Sequence, residues 1–179
     1  MTTTHSTLTG ERADLLESLR RHREFLRFTV AGLGEDQAAS RPTVSELCLG
    51  GLVKHVAATE KGWAAFILEG ARGLGGDFDP TAWTPEMQQM RADEFAVVDG
   101  ENLAEILAEY ERVAAETDEI LATVDSLDSS HPLPRAPWFE PDASWSARRV
   151  ILHIIAETSQ HAGHADILRE SIDGMKTMG

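Results

Sequence analysis

The chain has 179 residues, 42% of them hydrophobic, enough for one domain of ordinary size with a real core. Its 16 Lys+Arg against 30 Asp+Glu give a net charge of −14, which repels phosphate backbones and anionic lipid and disfavours nucleic-acid and membrane-surface functions. The single cysteine, Cys48, cannot form an internal disulfide, no apolar run approaches about 18 residues, and Met1 to Gly10 carries Thr and Ser where a signal peptide would be apolar. A cytoplasmic protein is expected, with residues 1–10 a disordered tail and 11–179 one helical domain.

In chain order, the first periodic segment runs from about Glu11 to Leu33. Leu15, Leu19, His22, Leu26 and Thr29/Val30 recur at three and four residues, and Gly32 and Gly34 end it. Arg20, Arg21, Arg23 and Glu24 are expected on its other faces. His22 shares the apolar stripe and reads either as a satisfied core or pocket histidine or as a functional residue. A connector with Pro42 follows, and Thr43 with Glu46 fits a capping box opening a second helix from Val44 to about Leu68. Its inward face groups Cys48, Gly51, Leu52, His55, Thr59, Gly62, Trp63 and Phe66, so His55 points at the core while Lys54 and Glu60 point more nearly away. Gly51, one turn before His55, leaves space beside the imidazole. Cys48 lies two turns from His55, on the order of 10 Å along the axis, and reads as packing.

Arg72 to Val98 is the least regular stretch. Within it TPEMQQMRADEF predicts a short helix with Thr84 as cap and Pro85 at its first position. A connection this long suggests a crossover or a lid over a site; Trp83 reads first as packing, second as lid lining. A third long helix, about Asn102 to Val124, carries Leu103, Ile106/Leu107, Tyr110, Val113/Ala114, Thr117 and Ile120/Leu121 on one stripe. Glu105, Glu109, Glu111, Glu116, Asp118 and Glu119 are expected to be solvated. A proline-rich link over Asp128 to Asp142 leads to Ser144 as cap of the final helix, which Gly174 stops. With no strand run, repeat or glycine-rich phosphate loop, four long helices and two long connections predict an all-α four-helix bundle.

The stretch Val150 to Glu170 of that last helix holds three of the seven histidines. Val150, Ile154, Ala165, Leu168 and Ile172 form its buried stripe, and Glu157 and His161 fall within the same stripe, with His153 and His164 at its margin. Burying a carboxylate and imidazoles costs several kcal/mol unless compensated, and a bound cation is the simplest compensation. Side chains at i and i+4 stand roughly 5–6 Å apart at Cβ, which suits two ligands of one ion. His55 is the candidate third ligand. His153 and His164 read as hydrogen-bonding neighbours of the ligands or substrate-facing groups rather than ligands, and Trp63 has the same standing.

The segments LGGLVKHVAATEKGW and VILHIIAETSQHAGHADILRE, with their separation and the helix order, resemble the DinB-like superfamily over nearly the whole chain, in particular its actinobacterial branch. The His, Glu, His order is similar to that of the mycothiol-dependent maleylpyruvate isomerases, whose more familiar cousins have histidine at both last-helix positions. Carried over by position, the resemblance implies a DinB-like bundle, His55, Glu157 and His161 as metal ligands, and a low-molecular-weight thiol such as mycothiol as cosubstrate. It further implies attack by the metal-activated thiolate on a small electrophile, and association into a homodimer. Zinc is the first expectation for the ion, and nickel, iron and manganese also suit the donor set. Two histidines and a carboxylate also make the facial triad of non-haem iron oxygenases, from which the resemblance points away. The alternatives are a metal-dependent hydrolase and a non-catalytic metal- or small-molecule-binding protein.

Overall fold

The computed structural model describes residues 8–177 and forms an all-α bundle, as the periodicity predicts. The expected tail therefore lies mostly outside the described residues. The bundle consists of α1 (Glu11–Val30), α3 (Leu49–Glu69), α5 (Leu103–Thr123) and α6 (Ala147–Asp173), with α2 (Glu35–Ala39) and α4 (Pro85–Asp93) in the connections. Around the bundle the order is α1, α6, α3, α5: α1 packs mainly on α6, and α3 on both α5 and α6. No helix among the described residues is long and apolar enough to cross a membrane.

Local chemistry sets the helix ends. Asn102 accepts from the Glu105 amide at 2.9 Å to start α5, and Thr84, followed by Pro85, accepts from Met87 to start α4 as predicted. Gly174, at φ 80°, closes α6 in a conformation that favours glycine. Two starts differ from expectation. Helix α3 begins at Leu49 rather than Val44, because Cys48 caps it, its Sγ accepting from the Gly51 amide at 3.4 Å. Thr43 instead accepts from Ser45, and Glu46 pairs with Arg41, so that capping box does not form. Ser146, not Ser144, caps α6, and Ser144–Ser146 pairs antiparallel with Ser130–Pro132 as β2 and β1, His131 opposite Trp145. Strands of three residues are too short to leave an alternating pattern in the sequence.

The apolar core falls into two halves. One gathers Leu26, Leu52, Val56, Ile106 and Leu168; the other Leu19, Phe66, Leu121, Val150 and Ile154. Between them runs a polar layer that corrects three expectations. Arg23 and Glu60, assigned to outward faces, are 4% and 1% exposed. Arg23 donates from Nε to Glu60 Oε2 at 3.1 Å and from Nη2 to Glu60 Oε1, and from Nη1 to Asp118 Oδ1 at 2.7 Å. Asp118 is thus part of the layer rather than a solvated charge. His22 is half-buried and packs edge-on against Phe25.

A second contact holds the α4–α5 connection on α3. A Cβ added at Gly51 would stand 2.0 Å from the Phe95 carbonyl oxygen, and one at Gly50 2.5 Å from Val97 Cγ2. The space that Gly51 leaves beside His55 is therefore filled by backbone. Lys54 fastens the same segment, its Nζ donating to the Asp93 and Ala96 carbonyls and to Glu101.

Removing one partner of a buried ion pair strands the other. Glu60→Ala is expected to lose about 3–5 kcal/mol of unfolding free energy in urea titrations, whereas Arg112→Ala, in an exposed cluster with Glu109 and Glu116, is expected to stay within about 0.5 kcal/mol.

Candidate metal centre

Helices α3 and α6 lie side by side, and one turn of α6 places Glu157 and His161 opposite His55 of α3. One ligand atom from each of these three side chains lies within 4.8 Å of the others, and among the described residues this is the group of His, Cys, Asp and Glu side chains that converges so. Glu157 is flanked on both sides: Oε2 is 3.6 Å from His161 Nε2 and Oε1 is 3.8 Å from His153 Nε2. The His55 ring stands edge-on to His161, centroids 4.9 Å apart, and stacks on Phe95 at 4.0 Å.

The donor chemistry fits a cation. Nδ1 of His55 and Nδ1 of His161 are buried without a hydrogen-bond partner, an unfavourable condition for a ring nitrogen unless something accepts its lone pair or proton. Burial, with the neighbouring His161 and Arg91 adding to it, lowers the His55 pKa from 6.5 to about 4. Burial likewise lowers His153 and His161, against the pull of Glu157. Neutral imidazole is the form that ligates a metal, so near pH 7 the chain presents free lone pairs rather than imidazolium.

His55, His153 and Glu157 line a cavity of about 1010 Å³. Glu157 is only half-buried, because it faces this opening and not the closed core that its place on the stripe suggested. Trp63 lines the cavity edge-on to His153 at 4.7 Å. Trp83 lines it too and packs on Phe78. His164 is exposed, its ring 5.5 Å from that of His161. Cys48 is buried away from the cavity lining, its thiol 3.7 Å from the Phe95 carbonyl.

Three contributors were invisible to spacing. Phe95 supplies the stacking surface for His55, Glu94 brings Oε2 to 3.7 Å from His55 Nδ1, and Arg91 of α4 pairs with Glu94 and lies over the Phe95 ring at 4.9 Å. The one signal for them is the Gly50-Gly51 pair inside a helix, which announces that some backbone comes close without saying which.

The chain matches the family described as mycothiol-S-transferase over residues 14–174. No curated protein matches it. In fold it is similar to a conserved protein from Enterococcus faecalis, with a TM-score of 0.64 and 17% identity over 94% of this chain and 100% of that one. It is also similar in fold to a mutant of mycothiol-dependent maleylpyruvate isomerase, with a TM-score of 0.61 and 13% identity, covering 99% of this chain and 65% of the other.

The depressed histidines set a pH dependence for the metal-free protein. In chelator, the unfolded chain takes up protons near pH 6.5 that folded His55 refuses until about pH 4, so stability is level above that window and falls as pH drops through it. Thermal melts from pH 8 to 4 are expected to show this, with a shallower fall in His55→Gln.

Proposed function

Because the chain belongs to the mycothiol-S-transferase family, and so to the DinB-like superfamily its motifs resemble, we propose that it is a metal-dependent transferase joining a low-molecular-weight thiol, mycothiol in the first instance, to a small electrophile. His55, Glu157 and His161 hold a divalent ion, zinc before nickel, iron or manganese. The observation that supports this reading is the convergence of these three donors, two with orphaned buried ring nitrogens, beside a large cavity that His55 and Glu157 line.

Bound there, a divalent cation supplies positive charge and open coordination positions that stabilise a thiolate near neutral pH. The chain's own residues do the rest. His55 and His161 present neutral imidazoles, and Glu157 adds one negative charge, leaving the centre net positive. Phe95 fixes the plane of His55, and His153 faces the second oxygen of Glu157, orienting that carboxylate. Trp63, with Met87 and Arg91 of α4, lines the cavity beside the donors. The thiol proton passes to solvent, sulfur forms a bond to the electrophilic carbon, and the leaving group departs with its bonding pair. Cys48 takes no part.

Metal content of untagged protein tests the site. Close to one equivalent of divalent metal is expected in the wild type, lost in both His55→Ala and Glu157→Ala, and His153→Ala is expected to weaken metal affinity about 10–100-fold. With a panel of electrophiles, metal-dependent consumption of mycothiol, over bacillithiol, glutathione or cysteine, is the expected activity. Turnover without thiol would make the protein a hydrolase. Metal without turnover, with a large loss of thermal stability on its removal, would make it a structural clip. A wild type that takes up no metal after supplementation would overturn the reading.

A further inference from the structure

The tryptophans of this chain are distributed unevenly. All four belong to one aromatic series that runs from the cavity mouth to the histidine beside Glu157. Trp83 packs on Phe78 at 5.3 Å and Phe78 on Trp138 at 4.8 Å; Trp138 leads through Phe139 to Trp145, which stacks on Trp63 at 4.8 Å. The core accounts for the inner part of this series, Trp63 with Trp145 and Phe139, but not for its outer end, where Trp138 lines the cavity while 62% exposed. Aromatic faces left uncovered in a concave site are surfaces for a ligand.

The charges beside them are mostly carboxylates, and the guanidiniums near them are already paired. Asp77, Asp79 and Glu94 line the same chamber; Arg135, outside the lining, stands 3.7 Å from Asp77, and the one guanidinium among the described lining residues, Arg91, is committed to Glu94 and to the Phe95 ring. Arg149 offers no alternative: it sits over the Trp145 ring at 4.3 Å and does not line the cavity. A carboxylate-bearing substrate would enter this chamber against the repulsion of Asp79 and Glu157 and find Arg91 and Arg135 already paired with Glu94 and Asp77.

We propose that the outer chamber selects a neutral, planar aromatic electrophile and that its carboxylates reject anionic ones. This rests on the thiol-transfer reading for its chemistry, but the selection is a property of the chamber. The ring stacks against Trp138 and Trp83, with its reactive carbon directed inward past Trp63. The thiolate sulfur then forms the carbon–sulfur bond, the carbon–halide bond of an activated aryl halide breaks, halide leaves with the electron pair, and the thiol proton goes to solvent.

A matched pair of unreactive probes tests it: 4-nitrobenzyl alcohol, neutral, and 4-nitrobenzoate, anionic, titrated by quenching of tryptophan fluorescence. The titrations use holoprotein saturated with mycothiol, so that no carboxylate can reach the metal, and are repeated after chelation. The neutral probe is expected to bind at least tenfold more tightly in both states. Trp138→Ala is expected to weaken it at least fivefold, and Asp77→Asn with Asp79→Asn to bring the two probes within about threefold of each other. Equal or tighter binding of the anion in either state, or neutral binding indifferent to both Trp138→Ala and Trp83→Ala, overturns the proposal. The thiol reading is judged separately: selective binding without thiol turnover would sink that reading and leave this one, and thiol turnover without selective binding would do the reverse.

Discussion

The fold depends on the Arg23–Glu60–Asp118 layer that crosses the bundle between its two apolar halves. A buried ion pair adds little net stability over well-packed apolar side chains, since desolvation offsets much of its attraction. Its effect here is on register. A shift of α3 by one turn against α1 would pair apolar groups with charges and leave at least one ion unmatched in the core, at a cost of several kcal/mol. His55 stands five residues before Glu60 on the same helix, about 140° around it. Fixing Glu60 against α1 and α5 therefore directs His55 toward α6, where Glu157 and His161 wait. Helix α6 meets the bundle interior here with Thr158, whose hydroxyl is satisfied by the Ile154 carbonyl, and the neighbouring Glu157 turns to the cavity.

A second constraint acts on the ring itself. Helix position alone leaves an imidazole free to turn, and the Phe95 stack removes that freedom. Phe95 can approach only because Gly50 and Gly51 present bare backbone, and it is kept there by Lys54. The connection is thus anchored beside His55. Further from the site the restraint fades, since α4 buries none of its residues fully and so is held over the cavity by few apolar contacts.

These two constraints also explain what could be read from the chain alone. Glu157 and His161 were legible because a helix brings i and i+4 together whatever surrounds it, and His55 because its helix face also carries Leu52, Trp63 and Phe66. The same arithmetic placed Arg23 wrongly: the helix stripe between Leu19 and Leu26 admits either residue 22 or residue 23, and hydrophobicity favours the histidine. What reversed the choice was Glu60, thirty-seven residues away, and no local pattern carries that partnership. Cys48 was read as packing and does pack, but its use as a helix cap depends on a polarisable sulfur meeting one amide. Glu94 and Phe95 reach the site through a connection whose path is fixed by tertiary contacts, so their roles lie beyond any periodicity.

Charge links the whole chain to the site. A net charge of −14 argues against polyanionic partners, and the carboxylates at the cavity mouth extend the same repulsion to small anions within a Debye length of about 8 Å. A thiol is well suited to pass such an entrance. With a pKa near 8.5 it arrives mostly neutral at pH 7, and on the transferase reading it becomes an anion only where the net positive centre can hold it. An electrophile without charge meets no barrier there either, and the tryptophans reward its apolar face. On the two proposals above, the acidity that disfavours polyanionic partners at the level of composition becomes, at the level of the cavity, a filter that admits two neutral reactants and confines the one charged species to the metal.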